Sequence, residues 1–279
     1  MSASRNPYVD DDSGPKLKPS VVAFIDILGY RELVNSAANR EESQQILDRL
    51  HASLLSGHAH VDPNRKDDIR RDIHKKDLSA FRAFTDNIVI GYPISSDGEI
   101  ELGQIFYDLS YFQTRLTLDG FFVRGAIAVG DLYIDDIAVF GAGLVDAYEA
   151  ESKLARDPRI VLATSAKEAV RHHIGYYDVP TEAPQNDYLL EDSDGQYFLH
   201  YLSSLVDENG HVHQAEFGKH KQCVEAQLAL FKSKPPIWSK YLWAANYHNY
   251  FCQKTKGVDS SMLISTSDFM LTPARISRD

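Results

Sequence analysis

One acid inside an apolar strand constrains this chain more than any other feature. Residues 21–27 read VVAFIDI, and Asp26 interrupts a run that would otherwise be plain core. A carboxylate buried there without a partner costs several kcal/mol. Either a cation meets Asp26, or the strand ends at a solvent-filled site. Ile27-Leu28-Gly29-Tyr30 then turns the strand into a helix expected to run to about residue 56. A second acid poses a similar question. LSAFRAF and IVIGY flank Thr85-Asp86-Asn87, which predicts a β-hairpin with polar residues at its tip. Taken singly, the plain readings are that Asp26 caps the following helix and that Asp86 is a turn residue.

Periodicity organises the rest. Leu102, Ile105, Phe106, Leu109, Phe112 and Leu116 recur at helical spacing. FFVRGAIAVG (121–130) and LYIDDIAVFG (132–141) read as a second hairpin around Gly130-Asp131. A helix over roughly 142–156, the strand RIVLATS (159–165) and another helix follow. The order β-α-β-β-α-β-β-α-β predicts an α+β fold close to the ferredoxin-like plan, a sheet with helices on one face. Residues 1–18 are polar and rich in Pro, Ser and Asp, and read as a mobile arm. The doubly charged stretch 60–77 reads as a solvated loop or short helix. After residue 175 the texture changes. A strand pair around Ser193-Asp194-Gly195 precedes two long helices, 213–232 and 236–255, the second opened by Pro235-Pro236. The expected organisation is an arm (1–18), a main domain (19–175) and a C-terminal strand pair with helices (176–279), either continuous with the core or appended to it.

Composition excludes several classes. A formal charge of −11 argues against broad binding to nucleic acid, which needs a basic face. One phosphate-bearing small ligand stays compatible, because bound metal reverses the local field. Cys223 and Cys252 lack C-x-x-C spacing, so neither a zinc ribbon nor a disulfide framework is expected. The first twenty residues lack a signal peptide's apolar stretch, and no run approaches the roughly 20 residues of a membrane span, so a cytoplasmic protein that does not insert in the membrane is expected. His58-x-His60 and His211-x-His213 lie in polar stretches and read as surface histidines. No P-loop, nucleophile elbow or complete dinucleotide fingerprint occurs. Trp238, Tyr241, Trp243, Tyr247, Tyr250 and Phe251 share the last helix, which reads as packing surface or a dimer interface.

The two acids gain meaning together. Adjacent strands of one sheet would bring Asp26 and Asp86 close, the carboxylate pair that a two-metal phosphoryl-transfer site requires. Strand alternation puts Phe24 on the face of Asp26, and Arg82, Phe84 and Asp86 on another shared face. A guanidinium and two rings would then stand near metal-ligand carboxylates, groups that pair with a base edge or phosphate and pack a base plane. Either ring alone equally suits a plain core position. The turn Ile27-Leu28-Gly29-Tyr30 would present helix-terminal N–H groups to phosphate oxygens.

FIDILGY (24–30), AFTDNIVIGY (83–92) and VRGAIAVGDLYIDDIAVFGAGLVDAYEAES (123–152) resemble the successive motifs of class III nucleotidyl cyclases. Their wording is similar to the bacterial pyrimidine cyclases of antiphage Pycsar systems. The resemblance covers roughly residues 20–165, with KYLWAANYHNY near the C-terminus sharing the family's flavour. It implies a class III cyclase core in which Asp26, Asp86 and the Ile27 carbonyl hold two Mn²⁺ or Mg²⁺ ions. It further implies that residues 27–30 contact phosphate, and that Arg82 falls where purine cyclases place the base-reading lysine. Val145 and Glu149 stand where adenylyl and guanylyl cyclases keep a transition-state asparagine and arginine; Arg124 and Lys153 are the nearest cationic substitutes. Homodimers with shared sites, a downstream effector that senses cyclic nucleotide, and a role in antiphage defence follow from the resemblance alone. The expected reaction converts UTP to 3′,5′-cyclic UMP. Arg82 is a pure donor and suits uracil carbonyls, whereas cytosine presents an amine at C4; the second base-reading position aligns near Ala138, which offers no side-chain hydrogen bond. A cytidylate cyclase, or a catalytically silent nucleotide-binding scaffold, is the alternative.

Overall fold

A computed structural model describes residues 6–10, 14–61 and 78–266, in two units, 1–204 and 205–279. The expected loop over 60–77 lies almost wholly outside the described residues. In chain order the first unit holds β1 (Val9–Asp10), β2 (Gly14–Pro15), β3 (Lys18–Ile27), α1 (Tyr30–Ser36), α2 (Arg40–Val61), β4 (Ala80–Phe84), β5 (Asn87–Pro93) and α3 (Glu99–Leu118). β6 (Val123–Ile134), β7 (Val139–Phe140), α4 (Ala142–Leu154), β8 (Ile160–Leu162), α5 (Thr164–Ile174), β9 (Leu189–Glu191) and β10 (Tyr197–Leu199) complete it.

The main sheet runs β4-β5-β3-β6-β8-β10-β9, with β7 folded back on the end of β6. All pairings are antiparallel except β6 with β8. β3 therefore lies between β5 and β6, the strand order of a ferredoxin-like core, and the α+β expectation holds. Alternation along β3 assigns the faces. Val21, Ala23, Ile25 and Ile27 join α3's Leu102, Ile105, Phe106, Leu109, Phe112 and Leu116, all fully buried on the helix, in the main core with Leu50 of α2 and Val170 of α5. The other face carries Val22 and Phe24, and α4 packs there through Gly143 and Tyr148. Helices thus cover both faces, where the sequence suggested one.

Three local expectations need correction. The helix after residue 30 is two helices. Asn39 Oδ1 accepts from the Glu42 amide (2.9 Å) while the Glu42 carboxylate accepts from the Ala38 amide (2.7 Å), a capping box that restarts the chain as α2. The hairpin expected at Gly130-Asp131 does not form, because β6 runs straight through it and reverses at residues 135–138. There Asp135 Oδ1 accepts from the amides of Ile137 and Ala138, both at 2.7 Å. Gly130 instead admits a helix: a Cβ there would stand 2.9 Å from the Cα and N of Gly143. Nor are the described residues of the first eighteen a free arm. Tyr8 is fully buried, its hydroxyl donates to Ser20 Oγ (2.8 Å), and Lys18 Nζ donates to the Pro7 carbonyl (2.6 Å).

The boundary expected at 175 also moves. β10 pairs with β8, and Arg159, 1 % exposed, ion-pairs with Asp192 and Asp194 in the β9–β10 turn. A buried guanidinium requires such counter-charges, so this hairpin belongs to the sheet. The second unit is built on α6 (Gln214–Leu230) and α7 (Pro235–Lys254), close to the expected helices. Tyr241, Tyr247 and Phe251 are buried, as a packing surface requires. His220 and His248 are fully buried and face each other, Nδ1 to Nδ1, at 2.9 Å. Because the Met262 carbonyl lies 2.9 Å from His248 Nε2, that nitrogen donates, and His248 Nδ1 accepts from His220.

Candidate active site

Asp26 sits at the end of β3, directly opposite Asn87 of β5 on one side and Arg124 of β6 on the other. The Arg124 Nε donates to Asp26 Oδ2 at 2.9 Å and lies equally close, 2.9 Å, to Glu151 Oε1 of α4. The lone acid in the apolar strand is thus met by a cation from within the chain, one of the two outcomes its burial demanded. Asp86 follows at the hairpin tip. Its carbonyl accepts from the Ile27 amide (2.9 Å), which puts the two aspartates one register step apart on neighbouring strands. Asp86 Oδ1 accepts from Thr85 Oγ1 (2.9 Å) and Asn87 Nδ2 (3.1 Å). Thr85 holds φ +55°, a left-handed conformation that a β-branched residue rarely adopts.

Among the described residues no group of three or more His, Cys, Asp or Glu gathers around a common point. A cation at Asp26 and Asp86 would therefore draw on two carboxylates, backbone oxygen and ligand oxygens. These are hard donors in the small number that Mg²⁺ or Mn²⁺ accepts when substrate phosphates complete the shell, so the residues fit such an ion.

A cavity of about 640 Å³ opens at Asn87, the residue opposite Asp26 and next to Asp86, and neither aspartate lines it. That volume lies within the usual range for small-molecule sites. Phe24, Arg82 and Phe84 line it, with Asn87 and Val89 of β5, the 137–139 turn, and Leu144, Val145 and Tyr148 of α4. The walls are mostly apolar, and the Tyr148 ring meets Phe24 edge-on at 5.4 Å. Phe84, Ile137, Val145 and Tyr148 are about half exposed or more, so the cavity mouth is an apolar surface. Arg82 is tied at the rim, where Nη1 donates to Asp136 Oδ1 (3.1 Å) and Nη2 to the Asp136 carbonyl. Asp135 beside it is held below the usual carboxylate range, first by the Tyr133 hydroxyl and then by the turn amides, with Arg82 adding a smaller pull.

Several predicted site residues sit elsewhere. The Tyr30 ring packs against the main core, away from the cavity. The Leu28 amide donates to Phe122 (2.8 Å) and the Ile27 amide to Asp86, so of the turn 27–30 only Gly29 and Tyr30 keep amides outside the sheet pairing. Gly29, at φ +74°, makes that turn possible. Lys153 is paired with Glu149 (2.5 Å) on α4 and does not line the cavity, whereas Arg124 reaches Asp26. Asn87, Tyr148 and Glu151 were not singled out by sequence. Asn87 could have been found from its place beside Asp86, and the other two from the i, i+4, i+7 spacing of Leu144, Tyr148 and Glu151 along α4. His211 is exposed and 3.5 Å from Asp207, as a surface histidine should be; the side chains of His58 and His60 lie outside the described residues.

No protein-family profile matches the chain, and a search of curated proteins finds no match. Among solved structures, the guanylyl cyclase Cya2 is similar at 14 % identity and a TM-score of 0.40, over 55 % of this chain and 79 % of that one. A class III adenylyl cyclase-like ATP-binding protein from Pseudomonas aeruginosa is similar at 11 % identity and a TM-score of 0.42, over 62 % of this chain and 41 % of that one. Among the described residues no helix is long and apolar enough to cross a membrane.

Proposed function

We propose that the chain is a class III nucleotidyl cyclase that converts a pyrimidine triphosphate, UTP ahead of CTP, to its 3′,5′-cyclic monophosphate. The observation that carries this reading is one juxtaposition. Asp26 and Asp86, one register step apart, flank Asn87, which lines a cavity together with Phe24, Arg82 and Phe84. In the reaction the ribose 3′-oxygen bonds to the α-phosphorus, the bond to the bridging oxygen breaks, and pyrophosphate leaves. Two divalent ions, Mn²⁺ or Mg²⁺, would supply charge neutralisation at the phosphates and acidify the attacking hydroxyl. The chain's part is to hold the triphosphate against Asp26 and Asp86, to pack the base between Phe24 and Phe84, and to read its edge. Arg82 offers donors to uracil carbonyls, and Asn87 offers both a donor and an acceptor.

A homodimer with sites shared across the apolar mouth, and a cytoplasmic role in antiphage signalling through a cyclic-nucleotide effector, complete the proposal. The half-exposed Phe84, Val145 and Tyr148 support the pairing. The second reading, a silent nucleotide-binding scaffold, is favoured by Val145, an apolar wall where a transition-state group would stand, and by Lys153 pairing with Glu149.

Incubation with Mn²⁺ and equal concentrations of the four nucleoside triphosphates separates these readings. Cyclic UMP is the expected main product, and Asp26→Asn or Asp86→Asn should lower its rate more than about a hundredfold, as loss of a direct metal ligand does. Dominant cyclic CMP would overturn the uracil assignment, and dominant cyclic AMP or GMP the pyrimidine one. Nucleotide binding without any product would leave the scaffold.

A further inference from the structure

We infer that Glu151 is a positioning residue that decides how readily Asp26 gives up Arg124 to receive a divalent cation. The inference rests on the reading of Asp26 as a cation ligand. Arg124 Nε carries one proton, and it stands 2.9 Å from Asp26 Oδ2 and 2.9 Å from Glu151 Oε1. The hydrogen bond runs to Asp26, and the contact with Glu151 is an ion pair. A carboxylate oxygen that already accepts from a guanidinium is poorly disposed toward a metal, both because the oxygen is engaged and because the two cations repel.

Glu151 offers Arg124 a second acceptor at the same distance. The proton can change partner with almost no travel of the side chain, so Asp26 is released without leaving the half-buried guanidinium unpaired. The acceptor is fixed in place. Glu151 is 2 % exposed, its Oε2 accepts from Ser152 Oγ (3.0 Å), and α4 is seated on β6 by the contact of Gly143 with Gly130. With a cation on Asp26, the Arg124–Glu151 pair is neutral by itself. Without Glu151, Arg124 has Asp26 as its anchor among these two carboxylates and competes with the metal.

The test uses the full chain and Mn²⁺ alone, with bound ion read by electron paramagnetic resonance. Wild type should bind, and Asp26→Asn should not. Glu151→Gln, nearly isosteric, should bind about tenfold more weakly, the size of loss seen when an outer partner of a metal ligand is removed. The double variant Arg124→Gln/Glu151→Gln removes competitor and acceptor together and should recover wild-type affinity. If Glu151→Gln does not fold, Glu151→Asp keeps the charge but withdraws it by one methylene, and weakened binding is again expected. Wild-type affinity in the Glu151 variant that folds, or a double variant as weak as Glu151→Gln, would overturn the inference while leaving Asp26 as the ligand. Equal binding by wild type and Asp26→Asn would remove the ligand reading and the inference with it.

Discussion

Thr85 shows how a single residue couples stability to the site. A threonine at φ +55° stores strain, and its hydroxyl stands 2.6 Å from the Phe84 carbonyl and 2.9 Å from Asp86 Oδ1, so its one proton divides between the backbone and the carboxylate. Asparagine tolerates the left-handed region better. Thr85→Asn should therefore raise stability by about 1 kcal/mol while lowering the proposed cyclase rate severalfold, because the hydroxyl contact to Asp86 (2.9 Å) is lost. Thermal melts beside product assays check both; a variant that is more stable and equally active would detach Thr85 from the site. At this scale the sequence was informative where chemistry is costly to place. Asp26 stood out because a carboxylate inside VVAFIDI needs a reason, and Phe24, Arg82 and Phe84 followed by alternation. Glu151 was hidden, because an acid on an amphipathic helix looks solvated until the sheet beneath it is known. Arg124 had the same ambiguity, and only the fold reveals its approach to both acids.

At the scale of elements, the fit of α4 on the sheet depends on two glycines that meet face to face. A Cβ on Gly143 would lie 2.9 Å from Val22 Cγ2 and 3.0 Å from the Gly130 carbonyl. Gly143→Ala should push α4 outward, cost about 1–3 kcal/mol, and enlarge the cavity at the Leu144, Val145 and Tyr148 wall. Denaturant titration gives the first quantity. A loss of nucleotide affinity larger than the stability loss reports the second, and wild-type values for both would refute the close-packing account. Legibility varied for the same reason. The buried stripe of α3 and the hairpin around Thr85-Asp86 were readable from local periodicity alone. Gly130-Asp131 read wrongly as a turn because glycine signals either a reversal or a close approach, and only the tertiary partner distinguishes them. The helix break at residue 39 was written in Asn39 and Glu42, and was outweighed by the apolar pattern around it.

For the whole molecule, acid should destabilise both units through buried histidines, His200 in the first and the His220–His248 pair in the second. Burial pushes His248 down to about 4, and burial with its partner histidine holds His220 well below the usual imidazole range. Both folded values lie below the unfolded value near 6.5, so the unfolded chain binds more protons in that window. Stability from His248 is fully present above about pH 6.5 and is lost as pH falls toward 4, at up to about 1.4 kcal/mol per pH unit, and His220 contributes in the same direction. The chain's two tryptophans, Trp238 and Trp243, both lie on α7, so their fluorescence follows this unit. Urea midpoints by fluorescence should fall steeply from pH 6.5 to 4, and a flat profile would mean that the histidines do not stay neutral. The expected boundary at 175 missed this division because β9 and β10 are short and their anchor, Arg159, lies earlier in the chain.

The place of β3 in the sheet also bears on how the chain would acquire the proposed activity. Asp26 meets Asn87 on one flank and Arg124 on the other, both far away along the chain, and a slip of one residue in either pairing would turn Asp26 toward the core. Closing those two long loops is the slow part of assembling a sheet. A chain with most of its helices formed, but with one flank of β3 still open, would look nearly native to far-ultraviolet spectroscopy and yet be inert. Recovery of turnover after dilution from denaturant would then trail the return of helical signal, and the interval between them would time the zipping of the central strand.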